Sequence, residues 1–303
     1  MTLLVVGSVA YDTVKTPSGE VEGALGGSAT YFAAAASFFA PVRVVAAVGE
    51  DFSKEELAFL EKRGVDLSGL ETMAGKTFRW TGVYSNDLNE RETICTQPNV
   101  FEHFQPNLSE EYCRTPFLFL ANIDPDLQEQ ILSQMRTSKL TMSNTIALWI
   151  ERKRARFLKT LDRVDVLMIN DSEARTLAGE SDLIKAGRRL LAYGPEVVLI
   201  TKGEHGVLMV TRDSIFAAPA YPKEEVCDPT GAGDSFAGGF MGCLAQAGAL
   251  NVSTYRRATV YGSIMASFTI ESFSVERLKV LTRDEIEGRY REFVDLTRFH
   301  QGE

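Results

Sequence analysis

The sequence is poor in features that mark several special classes of protein. Among its 303 residues are four scattered cysteines, Cys95, Cys113, Cys227 and Cys243, with no Cys-x-x-Cys pair. This pattern argues against a zinc knuckle or a dense disulfide framework and favours a reducing compartment. No apolar run approaches the ~20 residues of a membrane-spanning helix. Because Met1–Gly7 is expected to be a strand and not a signal peptide, we predict a cytoplasmic protein with no membrane partner.

Excess positive charge is also missing. Lysine and arginine together number 32 against 41 acidic residues, so the formal net charge is -9, and there is no Lys/Arg-rich run. A polyanion such as DNA or RNA would on average be repelled, and we expect no nucleic-acid partner. Hydrophobic residues make up 45% and charged residues 24%, which is ordinary for a folded globular protein.

Three common catalytic signatures are absent. Gly7–Asp12, which follow the first apolar run, do not form the Gly-x-Gly-x-x-Gly of a nicotinamide dehydrogenase. Gly75–Thr77 look like the end of a P-loop, but Leu70 stands where its first glycine is required. A serine hydrolase of the Gly-x-Ser-x-Gly type is excluded because that motif does not occur.

What the chain does contain is an alternation of short apolar runs and helical segments. The predicted strands are Leu3–Val6, Val42–Val48, Phe117–Leu120, Val166–Ile169 and Val197–Thr201, followed by a hairpin of Val207–Thr211 and Ser214–Ala218. The predicted helices are Ala29–Ala40 with Ser28 as N-cap, Lys54–Arg63, Asp126–Met135, Ala232–Ala247 and Thr254–Ile270. This order predicts a doubly wound α/β fold, a mostly parallel sheet flanked by helices, in a single domain spanning residues 1–303.

One segment interrupts the alternation. Phe78–Thr96 is rich in β-forming residues around the turn Asn86–Asn89, which predicts an inserted hairpin. With residues 10–25 it can form a small β sheet, giving lid insertions at approximately 10–25 and 76–98 over a substrate. An edge hairpin without a binding role is the alternative.

The strongest local motif lies in Cys227–Phe236, which reads Cys-Asp-Pro-Thr-Gly-Ala-Gly-Asp-Ser-Phe. The small residues Gly231, Ala232 and Gly233 let backbone N–H groups converge at the start of a helix, where the helix dipole favours an anion. Asp234 follows in the first helical turn, close enough to accept a proton from a hydroxyl that attacks a bound phosphoryl group. A plain turn into a helix is the alternative.

This motif closely resembles the C-terminal signature of the ribokinase-like (PfkB) carbohydrate kinase family. The resemblance runs from Gly7 to about Ile270, and it implies a ribokinase-like fold with a small β lid and ATP-dependent phosphorylation of a hydroxyl group. It further implies that Asp234 is the catalytic base and that the amides of Gly231–Gly233 stabilise the transferring group. The acceptor implied is a sugar or polyol.

The same resemblance assigns residues to the acceptor. An aspartate soon after the first strand and a Gly-Gly pair before the first helix hold substrate hydroxyls in the family, and here they are Asp12, Gly26 and Gly27, followed by Ser28. The chemistry agrees, since a carboxylate accepts hydroxyl hydrogens and glycines allow a ligand close to the backbone. Taken alone, Asp12 would be read as a solvated loop residue.

ATP and Mg2+ are implied by two further segments. Asn170 and Glu173 resemble the family's Asn-x-x-Glu motif, which helps to place magnesium, partly through water, but the pair also fits a capping box. Thr201, Gly203 and Gly206 resemble the Thr-x-Gly-x-x-Gly that lines the nucleotide site.

A monovalent cation, K+, is implied more loosely, because Asp228 and Thr230 match positions that bind one in some relatives. Phe273 stands where a small residue is usual in the same site. Thr141–Thr145 replace an Asp-x-Asn arrangement that many members carry, so the uncharged side chains there leave the acceptor open.

Two alternatives to a sugar or polyol kinase therefore stay open. A nucleoside is an alternative acceptor, because Phe78, Trp80 and Tyr84 on the predicted lid can stack on a base. A non-catalytic ligand-binding regulator on the kinase fold is the other alternative, against which the intact Asp234 and Gly231–Gly233 argue. The family also implies a homodimer formed through the lid.

Overall fold

The structure is a computed structural model that describes residues 1–298, so the end of the predicted 1–303 domain, residues 299–303, lies outside the described part. The strands are β1 (Leu3–Val6), β2 (Ala10–Thr16), β3 (Gly19–Gly26), β4 (Val42–Gly49), β5 (Asp66–Met73), β6 (Phe78–Tyr84), β7 (Arg91–Gln97), β8 (Phe117–Leu120), β9 (Leu140–Ser143), β10 (Val166–Asn170), β11 (Val197–Thr201), β12 (Val207–Thr211) and β13 (Ile215–Ala218).

Helices connect most of these strands. They are α1 (Ser28–Ala36), α2 (Ala58–Lys62), α3 (Glu110–Cys113), α4 (Pro125–Gln134), α5 (Ala147–Arg152), α6 (Arg154–Leu161), α7 (Asp171–Ala178), α8 (Leu183–Leu191), α9 (Ala232–Ala247), α10 (Val252–Thr269), α11 (Glu276–Val280) and α12 (Arg283–Thr297), with 3-10 turns η1 (Lys54–Leu57), η2 (Asn99–His103) and η3 (Gly203–His205). Within residues 1–298 each helix is too short or too polar to cross a membrane.

The central element is a nine-stranded sheet with the order β13-β12-β11-β10-β9-β8-β1-β4-β5. Its pairs are parallel from β5 to β11, and β12 and β13 are added antiparallel. The sheet extends from β1 in both directions, with β4 on one side and β8 on the other. This is the predicted doubly wound, mostly parallel sheet flanked by helices, and such a sheet opens a crevice at the carboxyl ends of its central strands.

Apolar strand residues alternate between two packed faces of this sheet. In β1, Leu3 and Val5 belong to the core shared with α1, α9 and α10, whereas Leu4 and Val6 belong to the core on the opposite face. All four are completely buried. The continuous apolar strands recognised in the sequence therefore form a sheet that is covered on both sides.

Close packing of α9 against α1 fixes the start of α9 in space. A Cβ on Gly238 would lie 2.5 Å from the carbonyl oxygen of Phe32 and 2.8 Å from Cβ of Ala35. The two helix backbones approach this closely because Gly238 has no side chain and Ala35 has only a methyl group. The N-terminus of α9 is consequently held over the carboxyl edge of the sheet.

A second, small sheet has the strand order β3-β2-β6-β7. The predicted hairpin is confirmed as β6 and β7, and residues 10–26 supply β2 and β3. The β2–β6 pair is parallel, with Asp12 opposite Trp80. The sheet is bonded to the rest of the chain, since Oγ1 of Thr16 donates to the carbonyl of Cys227 at 2.8 Å.

Several element boundaries differ from the sequence prediction. The helix expected at Ala29–Ala40 begins at Ser28 and ends at Ala36, and Gly27 occupies the N-cap because its φ of 93° is unfavourable for other residues. The helix expected at Lys54–Arg63 is split into η1 and α2. Helix α10 begins at Val252, capped by Asn251, and not at Thr254.

Candidate active site

The anion loop, Gly231–Gly233, lies at the N-terminus of α9. Gly231 has a φ of 77°, and a Cβ at this position would come within 2.4 Å of the Tyr31 ring, so the loop requires glycine here. A Cβ on Gly233 would meet no described atom within 4 Å. The space in front of the loop is therefore open to a ligand.

The first turn of α9 directs backbone donors toward that space. The N–H of Ala232 donates to the carbonyl of Pro229 at 3.2 Å, and the helical hydrogen-bond pattern starts with Ser235, whose N–H donates to Gly231 at 2.9 Å. The amides of Gly233 and Asp234 precede that first helical bond and face outward. Converging amides at the positive end of a 16-residue helix can hold a phosphoryl group.

Asp234 lies in the same first turn and is only partly exposed. Removal of water by the surrounding protein raises the pKa of its carboxyl group to about 7, and a hydrogen bond from Asn144 and the positive charge of Arg91 oppose this rise. A carboxylate with such a pKa can accept a proton near neutral pH and still be ionised in a large fraction of molecules. Asp234 therefore has the position and the basicity of a general base.

The segment after β9 connects Asp234 with a second carboxylate. Nδ2 of Asn144 lies 3.5 Å from Oδ1 of Asp234, and the backbone N–H of Ala147 donates to Glu173. The Oδ1 atom of Asn144 and Oγ1 of Thr145 are buried and find no partner among residues 1–298. Buried polar atoms are normally hydrogen-bonded, so these two oxygens are available to a ligand or water.

On the predicted acceptor side, Asp12 is buried, with 7% exposure, and it accepts a hydrogen bond from the N–H of Gly27. Burial raises its pKa to about 7, and the charges of Asp228 and Asp234 add to the rise. Gly26 lies against Asp12, because a Cβ there would be 2.0 Å from Oδ2. The structure thus brings Asp12, Gly26 and Gly27 together.

Ser28 has a different environment from these three residues. Its N–H donates to Oγ of Ser8 at 3.1 Å, and its own Oγ accepts from the N–H of Ser8 at 3.1 Å. This reciprocal pair joins the segment after β1 to the start of α1. The Ser28 hydroxyl is therefore bonded to Ser8 and fixes the chain directly after the glycine pair.

On the predicted nucleotide side, Asn170 and Glu173 form a complete capping box at the start of α7. Oδ1 of Asn170 accepts from the N–H of Glu173 at 2.8 Å, and Oε2 of Glu173 accepts from the N–H of Asn170 at 3.2 Å. Desolvation raises the pKa of Glu173 to about 7. The pair caps the helix and also presents a carboxylate at the carboxyl edge of the sheet, where a cation can be held.

The nucleotide loop, Thr201–Gly206, continues from the end of β11. Its glycines adopt backbone conformations that favour glycine, with φ of 53° at Gly203 and 80° at Gly206. Asn89, from the turn between β6 and β7, packs on this loop: its Nδ2 lies 2.5 Å from Oε2 of Glu204. His205 is exposed.

Asp228 offers an oxygen suited to a cation. It is 1% exposed, its Oδ1 accepts from the N–H of Thr230 at 2.8 Å, and its Oδ2 is buried with no partner in the described part of the chain. A buried unpaired carboxylate oxygen is costly unless a cation or a donor meets it. The residues present therefore fit a monovalent ion, and no cluster of three or more metal-ligating side chains occurs within residues 1–298.

One face of the small sheet carries further residues of the site. Trp80 is opposite Asp12 in the β2–β6 pairing, and Arg91 is opposite Tyr84 in the β6–β7 pairing, so all four side chains share a face. The phenol of Tyr84 accepts a hydrogen bond from Oγ1 of Thr230 at 3.2 Å. This face is therefore directed at the anion loop.

Sequence reasoning missed Arg91 and the pairing role of Asn144. Arg91 stands in a hairpin that was recognised only by its β-forming residues, and a strand register is needed to show which side of the sheet it occupies. Asn144 was noticed as part of Thr141–Thr145 but not as a partner of Asp234. A polar residue directly after a buried strand of a parallel sheet is the signal that identifies it.

Comparison with known proteins identifies the family to which this chain belongs. Residues 2–278 match the family described as "pfkB family carbohydrate kinase". A cytidine kinase from Thermococcus kodakarensis is 32% identical over 247 residues, which cover 80% of this chain and 87% of that protein.

Two solved structures of related fold are a nucleoside kinase from Methanocaldococcus jannaschii, described as an archaeal member of the ribokinase family, and a fructokinase from Vibrio cholerae O395 bound to fructose, ADP and a calcium ion. The first has a TM-score of 0.76 at 20% identity, covering 96% of this chain and 98% of that one. The second has a TM-score of 0.76 at 17% identity, covering 95% and 98%. The predicted ribokinase-like fold is confirmed. The chain belongs to the PfkB family of carbohydrate kinases and is a phosphotransferase.

Proposed function

We propose that the protein transfers the γ-phosphoryl group of ATP to a hydroxyl of a small sugar or polyol. The observation that carries this proposal is the position of Asp234, a carboxylate with a pKa raised to about 7, in the helix turn whose amides face an open space. A base beside an anion site is what attack of a hydroxyl on a phosphoryl group requires.

In the proposed reaction, the acceptor lies between Asp12, the Gly26–Gly27 pair and the small sheet, which acts as a lid. Its hydroxyl oxygen forms a bond to the γ-phosphorus while the bond from that phosphorus to the bridging oxygen of ADP breaks. Asp234 takes the hydroxyl proton. The free amides at the start of α9, those of Gly233 and Asp234, stabilise the negative charge on the phosphoryl oxygens in the transition state, because the N–H of Ala232 already donates to Pro229.

The nucleotide is proposed to lie along Thr201, Gly203 and Gly206, with its phosphates directed toward the anion loop. When bound, Mg2+ supplies charge neutralisation between the phosphates. Glu173, with Asn170, is the residue that would help to hold it, through water. Asp228 and Thr230 would hold K+, because the Oδ2 atom of Asp228 lacks any other partner in the described chain.

A nucleoside is the second candidate acceptor. It is favoured by Trp80, whose indole shares a face with Asp12, so that an aromatic ring lies near the carboxylate that would meet the ribose hydroxyls. The 32% identity to the cytidine kinase supports the same reading.

The exposed edge strand β7 would join two copies in a homodimer. The four free thiols are compatible with the cytoplasm.

The experiment is a measurement of ADP formation from Mg-ATP by the wild type and by Asp234→Asn, with hexoses, pentoses, polyols and nucleosides as acceptors. We expect one acceptor class to stimulate ADP formation and Asp234→Asn to lose about 100- to 10,000-fold or more of that rate. Far-UV circular dichroism of the variant controls for folding. Full activity of Asp234→Asn would refute the assigned base, and lack of stimulation by every acceptor would favour the non-catalytic reading.

A further inference from the structure

Gln128, on α4, is a polar side chain inside the protein core. It is completely buried, and its neighbours on the inner side of the helix, Ile131 and Leu132, are apolar members of the core. A buried amide gives up its hydrogen bonds to water, which is costly unless the protein replaces them. The hydrogen bonds of Gln128 therefore indicate what a glutamine does here that an apolar residue would not.

The amide group of Gln128 joins the carboxyl ends of two neighbouring strands. Its Nε2 atom donates to the carbonyl of Ala121, directly after β8, at 2.8 Å, and to the carbonyl of Asn144, directly after β9, at 3.2 Å. An amide nitrogen carries two hydrogens, so both are used. These two bonds fix the orientation of the amide, and its Oε1 atom is buried with no partner among residues 1–298.

The two carbonyls that Gln128 contacts each have a second donor. The carbonyl of Ala121 also accepts from the N–H of Ile123 at 2.7 Å, and that of Asn144 also accepts from Oγ of Ser143 at 3.2 Å. Removal of the Gln128 amide leaves neither carbonyl unpaired, and it also removes the unpartnered Oε1 atom. The amide therefore contributes little net stability, and its main effect is on the position of the chain after β9.

The chain after β9 leads to two carboxylates of the site. Nδ2 of Asn144 lies 3.5 Å from Oδ1 of Asp234, and the N–H of Ala147 donates to Glu173. Because 3.5 Å is at the long end for a hydrogen bond, a small displacement of Asn144 is enough to break it. Gln128 is bonded to the backbone of that same residue.

We propose that Gln128 is a positioning residue for the catalytic base: its buried amide fixes the backbone at Asn144, so that the Asn144 side chain stays directed at Asp234. This inference rests on the proposed function, in which Asp234 is the base. In this role Gln128 acts through Asn144 and not through contact with a substrate. A hydrogen bond donated to a carboxylate favours its ionised form, which is the form that can take a proton from the acceptor.

Other charged and titratable groups also face Asp234. Arg91 from β7 lowers its pKa, and Asp12 from β2 and Tyr31 from α1 interact with it electrostatically. The hydrogen bonds of Gln128 lead instead to the chain after β8 and β9, so its substitution leaves these three groups in place. A change in the pKa of Asp234 caused by that substitution can then be assigned to the chain after β9.

The test compares wild type with Gln128→Met, Asn144→Leu, the double variant of these two, and the control Gln130→Met. Methionine is an unbranched side chain that fills the place of glutamine without its donors. Gln130 is an exposed glutamine on the same helix. The pKa of Asp234 is measured in the free protein by carboxyl-carbon NMR, and its signal is identified by its loss in Asp234→Asn. The pH dependence of acceptor-stimulated ADP formation and the thermal denaturation midpoint are measured for each variant.

We expect Gln128→Met to raise the pKa of Asp234 by about 0.5 to 1, as for weakening of one hydrogen bond to a carboxylate, and to move the acidic limb of the pH–rate profile by the same amount. Its denaturation midpoint should stay close to that of wild type, because both carbonyls keep a donor. Gln130→Met should match wild type in every measurement. The double variant should raise the pKa no further than Asn144→Leu alone, since both substitutions remove the same hydrogen bond.

Three results would contradict the inference. An unchanged Asp234 pKa in Gln128→Met would show that Asn144 keeps its position without the tether. A lowered denaturation midpoint with an unchanged pKa would assign Gln128 a purely structural role. Additive increases in the double variant would mean that Gln128 affects Asp234 by a route other than Asn144. Failure of the proposed function is distinguishable from these results, because wild type would then show no acceptor-stimulated ADP formation while the NMR titration still measures the effect of Gln128 on Asp234.

Discussion

In the proposed reaction, the protonation of Asp234 and Asp12 sets the conditions for turnover. Burial raises the pKa of both to about 7, so each is neutral in acid and ionised above neutral pH. Asp234 must be ionised to take a proton, and Asp12 accepts acceptor hydroxyls best as a carboxylate. The two requirements act in the same direction.

We therefore predict that kcat/KM increases with pH below about 7 and levels off about one unit above it, with a slope of at least one in a logarithmic plot. Initial rates at limiting acceptor and fixed ionic strength measure this. The Asp12→Asn variant serves as the comparison, because it retains the base and should keep a slope close to one. A wild-type rate that does not change between about pH 5 and pH 8 would contradict the prediction.

Asn144 donates a hydrogen bond to Asp234 and thereby lowers the pKa of that carboxyl group. The bond favours the ionised carboxylate, so Asn144→Leu should raise the pKa of Asp234 and shift the acidic limb of the pH–rate profile to higher pH. The measurement is the same profile together with the thermal denaturation midpoint. A purely structural role would lower the denaturation midpoint and leave the position of the profile unchanged.

At this scale, the sequence predicted residues that belong to contiguous motifs and missed those that arrive from elsewhere. Asp234 directly follows the anion loop, so both belong to one contiguous motif, and the resemblance of that motif to the family signature favours the chemistry over a plain turn into a helix. Arg91 is separated from Asp234 by more than a hundred residues, and Tyr84 from its partner Thr230 by 146. Such pairs depend on the register of the small sheet, which no local pattern specifies.

At the scale of elements, the start of α9 combines a strained turn with an open surface. Gly231 has a positive φ and its Cα faces the Tyr31 ring, whereas Gly233 lies in the first helical turn with free space around it. A Cβ at Gly231 would meet the Tyr31 ring, whereas a Cβ at Gly233 would meet free space. This difference can be measured.

We predict that Gly231→Ala lowers both the free energy of unfolding and the rate, because the left-handed conformation costs about 1–2 kcal/mol and the new methyl group meets the Tyr31 ring. Gly233→Ala should unfold no more easily than wild type, since alanine favours a helix over glycine by up to about 1 kcal/mol. It should nevertheless lose turnover, as its methyl group enters the phosphate space. Denaturant titration and kcat check both variants, and equal behaviour of the two would contradict the proposal.

The buried strands β1, β4, β8, β10 and β11 and the long helices α9 and α10 were predicted because their apolar pattern is local, whereas the buried strand β9 and the 15-residue helix α12 were not predicted. The parallel pairing of β2 with β6 was not predictable from a local pattern, since the segment that connects these strands includes α1, β4 and β5, which belong to the large sheet and its flanking helices. The split of Lys54–Arg63 into η1 and α2 likewise reflects packing of Leu57 and Leu60 into the core and not a sequence signal for a break. Edge strand β5 was missed because its burial is partial.

At the scale of the whole molecule, the small sheet and the large sheet meet at several separated contacts. Thr16, beside the turn between β2 and β3, bonds to Cys227, and Ser274 donates at 2.5 Å to the carbonyl of Leu25, near the other end of β3. The tip is held by Asn89 at Glu204. Cys227 lies shortly before the anion loop in the chain, and Glu204 lies in the nucleotide loop, so the small sheet is bonded close to both loops.

The tip contact is the easiest of these to remove. We predict that Asn89→Ala increases amide hydrogen exchange in β6 and β7 and raises the KM for the acceptor, because the hairpin then loses the contact of its turn with Glu204 and keeps only the Tyr84–Thr230 bond at that end. Asn86→Ala, an exposed asparagine in the same turn, is the matched control and should resemble wild type.

A double-mutant cycle identifies the contact as the cause. If Asn89 acts through Glu204, then Asn89→Ala and Glu204→Ala should raise the acceptor KM by similar factors, and the double variant should be no worse than either single variant. Strictly additive effects would instead mean that the two residues act independently. In that case closure of the small sheet would depend on its other contacts, and occupancy of the nucleotide loop would have no route to the acceptor through the hairpin tip.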